Sequence, residues 1–192
     1  MKIKIFDLDD TLITSPARCK VYDSVTKKSQ FLSPSQFNLF VPQSYHHFSF
    51  EEFDNRAILY KADFLPLFEK FKDIYENEEA LGIVTARSNT ILLHEFFLSK
   101  GFDLDIDLIY ATTHPFHNFT GSVAQRKKQA FEKLIQRGFN EFEFYDDNIE
   151  NLSLVKSLEL ERDVKIHAFH VDGKTEEVYR GEGKGSHHTA NS

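Results

Sequence analysis

The 192 residues suffice for one domain with a small appendage, and a composition 41% hydrophobic and 28% charged fits a globular chain with a sizeable core. Thirty acidic against 23 basic side chains give a net charge of −7, which excludes broad, nonspecific nucleic-acid binding but leaves room for a local basic patch. A lone cysteine, Cys19, excludes a disulfide framework and a multi-thiolate zinc site, and no apolar run approaches the roughly 18 residues of a membrane span. With no leader pattern at the N-terminus, the expectation is a cytoplasmic protein without membrane contact.

Five strands are expected in chain order. Lys2–Asp7 (KIKIFD) is the first, and Ala80–Thr85 (ALGIVT) is an unbroken small and apolar run suited to burial on both faces. Leu104–Ala111 alternates polar and apolar residues as an edge strand does; Glu141–Tyr145 and Val164–Val171 are the fourth and fifth. Helices fall between them. One spans Asn89–Lys100 between a Ser88 N-cap and Gly101, one runs within Gly121 to Arg137, and one covers Asn151–Arg162. This alternation predicts an α/β fold with a central parallel sheet between helices.

Residues 13 to 79 are too many for one crossover. Lys20–Tyr22 and Gln30–Leu32 read as arms of a hairpin, and Ser33-Pro34-Ser35-Gln36 is a capping box with proline at the first helical position. Ser49-Phe50-Glu51-Glu52 repeats that signature, and Asp63–Glu76 is the helix leading back to the sheet. Residues 14–62 are therefore expected to form a small inserted cap or flap, with 1–13 and 63–172 as the core domain. Residues 173–192 lack apolar periodicity and read as a flexible tail. The twenty phenylalanines are expected mainly in the core, Phe37 with Tyr22 and Phe31 in the core of the insert.

The chemistry lies where the strands end. Asp7, Asp9 and Asp10 follow strand one, Thr85 to Arg87 follow strand two, and Asp146 to Asn148 follow strand four. In an open parallel sheet those carboxyl ends face one way and bind ligand together. Carboxylates crowded there repel one another unless a cation lies among them, and hard oxygen donors select Mg²⁺, which also binds phosphate. A calcium loop is excluded because Leu12 and Arg18 stand where its glycine and glutamate belong. His46, His47, His167, His170, His187 and His188 present no coherent ligand spacing. Asn151 reads as a helix cap.

FDLDDTL, IVTAR, a lysine in the helix before strand four, and FYDDNIENL resemble the four motifs of the haloacid dehalogenase (HAD) superfamily, whose phosphatases carry D-x-D-x-[TV]. The whole chain is similar to phage-encoded members. The resemblance implies a Rossmann-like three-layer sandwich with strand order 5-4-1-2-3 and a small insert after strand one. It also implies Asp7 as the nucleophile that forms an aspartyl-phosphate, and Asp9 as general acid and base. Asp7, Asp9 (through its carbonyl), Asp146 and Asp147 would hold Mg²⁺. Thr85 would bind a phosphoryl oxygen, helped by amides at Leu8, Thr11 and Ala86. Lys127, 19 residues before Asp146, matches the family lysine, with Lys128 second. Arg87 resembles the arginine with which some polynucleotide-end and acid phosphatases bind substrate or order the acidic loop.

The expected activity is phosphomonoester hydrolysis on a small phosphorylated substrate, a nucleotide, or a nucleic-acid end. A small-metabolite phosphatase and a non-catalytic metal-binding regulatory module are the alternatives.

Overall fold

In the computed structural model, residues 1–173 and 175–181 are described. Strand β1 (Lys2–Phe6) leads into a short β2 (Ile13–Thr14). Then come β3 (Cys19–Asp23), β4 (Lys28–Leu32), helix α1 (Pro34–Leu39), β5 (His46–Ser49), α2 (Arg56–Leu59) and β6 (Asp63–Phe64). The remainder comprises α3 (Phe68–Glu76), β7 (Leu81–Thr85), α4 (Thr90–Ser99), β8 (Ile109–Ala111) and α5 (Val123–Gln136). The last described elements are β9 (Glu141–Asp146), α6 (Ile149–Lys156), β10 (Lys165–Asp172) and β11 (Thr175–Tyr179).

The central sheet runs β11-β10-β9-β1-β7-β8. All neighbours pair in parallel except β10 with β11. Alternation along β1 builds both cores. Phe6 packs with Phe71, Phe96 and Phe97 of α3 and α4, whereas Ile3 and Ile5 pack with Phe131, Leu134 and Val155 of α5 and α6. Helices thus cover both faces, a layering compatible with a Rossmann-like sandwich. Gly82 permits the closest approach within β7: a Cβ there would lie 2.7 Å from the Leu108 carbonyl and 2.9 Å from Ile5.

The insert is more built than a hairpin. Its strands pair in the order β4-β3-β5, and Cys19, Val21 and Leu32 form a small core with Phe37, Phe40, Phe48 and Phe53 around it. The β2–β6 ribbon pairs Ile13 with Phe64 and Thr14 with Asp63, closing the segment where it leaves and rejoins the main body. The capping box forms as expected, Ser33 accepting from Gln36 N and Gln36 from Ser33 N.

Several expectations are corrected. The sheet holds six strands, not five, because Thr175–Tyr179 of the expected tail pairs antiparallel with β10; the partner edge supplies the hydrogen bonds that its polar sequence does not advertise. Lys174 and residues 182–192 of that expectation lie outside the described residues. The third strand shortens to Ile109–Ala111, since Asp105 caps a 3₁₀ turn over Ile106–Leu108. Asn89, not Ser88, caps α4. Ser49 ends β5 instead of capping a helix, and a 3₁₀ turn follows over Glu51–Asp54. Asp63 and Phe64 are strand, so α3 starts at Phe68.

Candidate active site

The parallel pairing of β1 with β7 and β9 brings their carboxyl ends side by side. Asp7 follows β1 and donates its N–H to the Tyr145 carbonyl of β9 at 2.9 Å. The chain then turns tightly. The amides of Thr11, Leu12 and Ile13 all close on the Leu8 carbonyl at 3.2, 2.9 and 3.1 Å, and Asp10 takes a left-handed φ of 61°. Leu8 and Asp9 amides keep no acceptor among the described residues, so two donors remain beside Asp7. No helix follows this turn. The expected Thr11 amide donor is instead spent on Leu8, and the buried Thr11 side chain donates to Asp7 Oδ2 at 3.2 Å.

Lys127 reaches this point from the first turns of α5. Its position is fixed by a capping box between Ser122 and Gln125, and that box requires glycine at 121, where φ is 92° and a Cβ would strike Gln125 Oε1 at 2.1 Å. The Lys127 ammonium is buried and bridges Asp7 Oδ1 at 2.8 Å and Asp146 Oδ2 at 2.7 Å. Asp146 also accepts from Asn148 N at 2.8 Å and from Asn151 Nδ2 at 3.2 Å. Asn151 therefore anchors the acidic loop from inside α6; the helix cap is Asn148, a correction of the expected role.

Carboxylate oxygens of Asp7, Asp146 and Asp147 lie within 4.8 Å of one another. Burial, then the Asp146 charge, push the Asp7 carboxyl above its ordinary range; burial followed by Asp7 and Asp146 does the same to Asp147. Burial alone would lower the Lys127 ammonium, but Asp146 and Asp7 together outweigh it and hold it above its usual value. One ammonium cannot neutralise three carboxylates, so the cluster has the oxygen donors and the uncompensated charge that suit a hard divalent cation. The Asp9 carboxylate stands apart from this cluster.

Asp9 belongs to Arg87. The guanidinium grips it through Nε–Oδ2 and Nη2–Oδ1 contacts, both 2.8 Å. The same guanidinium donates from Nη1 to the Phe53 carbonyl at 2.9 Å and lies 5.0 Å from that ring's centre. Ser88 donates to the Asp54 carboxylate at 2.9 Å, and Arg56 of α2 pairs with Glu95 of α4. The insert is thus tied down over the loop after β7.

Compared with protein-family models, with curated proteins and with solved structures, the chain matches none.

Insert and core enclose a cleft of about 350 Å³. Asp7, Thr85, Lys127 and Asp147 line its polar side, with Ala86 and Arg87 beside them; Pro34, Phe37, Phe50 and Phe53 line the other. Thr85 is buried, and its Oγ1 accepts the Arg87 amide at 3.3 Å. Lys128 is corrected: the helical turn sends it outward to Glu161 at 2.8 Å. Leu8 contributes only backbone, its side chain being wholly buried. Lys20, Lys27 and Lys28 of the hairpin do not line the cleft. Phe50, Phe53 and Arg126 do, and they were not foreseen as site residues. The F-x-x-F spacing at 50 and 53 is the signal for them, and it overlaps the capping pattern that begins at Ser49.

Proposed function

We propose that the protein is a Mg²⁺-dependent phosphomonoesterase of the HAD type, working through an aspartyl-phosphate on Asp7. The observation that carries this reading is the buried Lys127 ammonium bridging Asp7 and Asp146 beside Asp147, in the wall of a cleft. Asp7, Asp146 and Asp147, with the Asp9 carbonyl, would hold Mg²⁺, which when bound neutralises the clustered carboxylates and the phosphoryl oxygens.

Asp7 Oδ attacks phosphorus, and the bond to the leaving oxygen breaks while the Asp9 carboxyl delivers its proton there. A water then surrenders a proton to Asp9 and attacks the phosphorus of the aspartyl-phosphate, releasing phosphate and restoring Asp7. Lys127 keeps the Asp7 oxygen oriented, the Leu8 and Asp9 amides and Thr85 Oγ1 offer hydrogen bonds to the phosphoryl oxygens, and Arg87 sets the direction of Asp9.

The aromatic wall of Phe37, Phe50 and Phe53 supports a planar leaving group, hence a nucleotide or a nucleic-acid terminal phosphate. The test is hydrolysis of an aryl phosphate and of a panel of nucleotides, sugar phosphates and end-phosphorylated oligonucleotides, with and without Mg²⁺. Turnover that needs Mg²⁺ and vanishes in Asp7→Asn is expected. Preference for sugar phosphates would favour a small-metabolite phosphatase, and no turnover with Mg²⁺ binding retained would leave a regulatory metal-binding module.

A further inference from the structure

We propose that Arg126 recognises a second anionic group on the substrate, set apart from the phosphoryl group that is transferred; this rests on the phosphatase reading above. Among the described residues three cations line the cleft: Arg87, Arg126 and Lys127. Two of them are already matched, Lys127 by Asp7 and Asp146, and Arg87 by Asp9. Arg126 has no carboxylate partner among the described residues. Lys128, two residues further on, shows the ordinary outcome, an ion pair on the solvent side with Glu161.

The hydrogen bonding of Arg126 is equally incomplete. A guanidinium carries five donors in a planar fork. Among the described residues one contact is made, from Nη1 to Thr113 Oγ1 at 3.4 Å, and Nε is buried with no acceptor. A buried cationic donor without an acceptor costs free energy that folding gains nothing from, and a ligand oxygen recovers it. The backbone beneath it is held: Arg126 stands in the first turn of α5, its amide on Ser122 O at 2.9 Å, one residue before Lys127. The second anion therefore sits at a set reach from the phosphoryl position, which makes Arg126 a selector of substrate shape as well as charge.

The shared chemistry is a planar or tetrahedral oxyanion, a carboxylate or a further phosphate or phosphodiester, carried by the phosphomonoester. Matched pairs distinguish these sources: phenyl phosphate against 2-carboxyphenyl phosphate, and a nucleoside monophosphate against its 3′,5′-bisphosphate and a 3′-phosphorylated dinucleotide. The quantity read is the ratio of kcat/KM within each pair, with Mg²⁺ present. Wild-type protein is expected to favour the doubly anionic member of at least one pair. Arg126→Gln should cut that preference about tenfold or more, mainly through KM, with Arg126→Lys recovering only part of it because the fork is lost. The pair that responds names the source. A preference unchanged within twofold in Arg126→Gln, or no preference in the wild type, overturns this inference while turnover of phenyl phosphate leaves the phosphatase reading standing. Absence of wild-type turnover on every ester overturns both.

Discussion

Replacing Lys127 by methionine keeps most of the side-chain volume and removes the one ammonium among Asp7, Asp146 and Asp147. Each ammonium–carboxylate contact, at an effective dielectric near 20 and about 4 Å between charge centres, is worth roughly 4 kcal/mol before desolvation. The Lys127 desolvation lost in the variant offsets much of the pair, while the two carboxylates stay buried with only the neutral donors Thr11, Asn148 and Asn151 and no cation. The net cost for breaking such a site is about 3–5 kcal/mol, which for a chain of this size lowers Tm by roughly 6–20 °C. The loss must depend on pH in one direction. Asp7 already stands above the ordinary carboxylate range, and removing the ammonium raises it further. A carboxyl raised in the folded state binds its proton there more tightly than in the unfolded chain. Stability therefore falls as pH rises from the unfolded value toward the folded one, and the penalty is complete above it. Thermal unfolding of Lys127→Met in EDTA should show its largest deficit near pH 8 and a smaller one near pH 5. A Tm within about 2 °C of wild type at pH 8, the behaviour of a solvated surface lysine, or a deficit that grows on acidification, would refute the reasoning.

Arg87→Met severs the grip of a buried guanidinium on the partly buried Asp9 and on the Phe53 carbonyl, so about 2–4 kcal/mol of stability should be lost in chemical denaturation. Aryl-phosphate hydrolysis should fall at least tenfold, and unchanged kcat would detach Arg87 from the chemistry. Adding Mg²⁺ to about 100 times its dissociation constant should stabilise the fold by about 2.7 kcal/mol, a Tm rise of several degrees that Asp147→Asn diminishes; no rise in the wild type argues against the metal. Burial, with Asp9 and Asp7 next in weight, pushes Asp10 up to about 6, and its Oδ2 is buried without a partner among the described residues. Asparagine tolerates the left-handed backbone there, so Asp10→Asn in EDTA should raise Tm above pH 7, the gain fading toward pH 4 as the wild-type carboxyl takes up its proton. A gain constant with pH would assign the effect to something other than charge.

Periodicity and strand-end chemistry made much of this architecture readable from the chain alone. The all-buried LGIVT run of β7, the proline-led capping box at Ser33 and the acidic groups after β1 and β9 are local patterns, and each forms where its residues dictate. Lys127 was legible only through the resemblance to the HAD motifs, in which its distance from Asp146 matches the family lysine; composition would have left it on a charged helical face with Lys128. The 100° step between adjacent helical residues decides which of the two turns inward, and the structure resolves it through Asp7 and Asp146 on one side and Glu161 on the other.

What the chain alone determined, then, is which residue types stand at the ends of successive strands, because strand and helix patterns repeat over a few residues. Tertiary structure decided what those residues touch. Arg87 takes Asp9 and the insert's Phe53 together across sequence separations of 78 and 34 residues, β11 joins the sheet by borrowing an edge, and Arg126 is left without a carboxylate among the described residues. These outcomes depend on distances between segments remote in sequence, and no local periodicity encodes them.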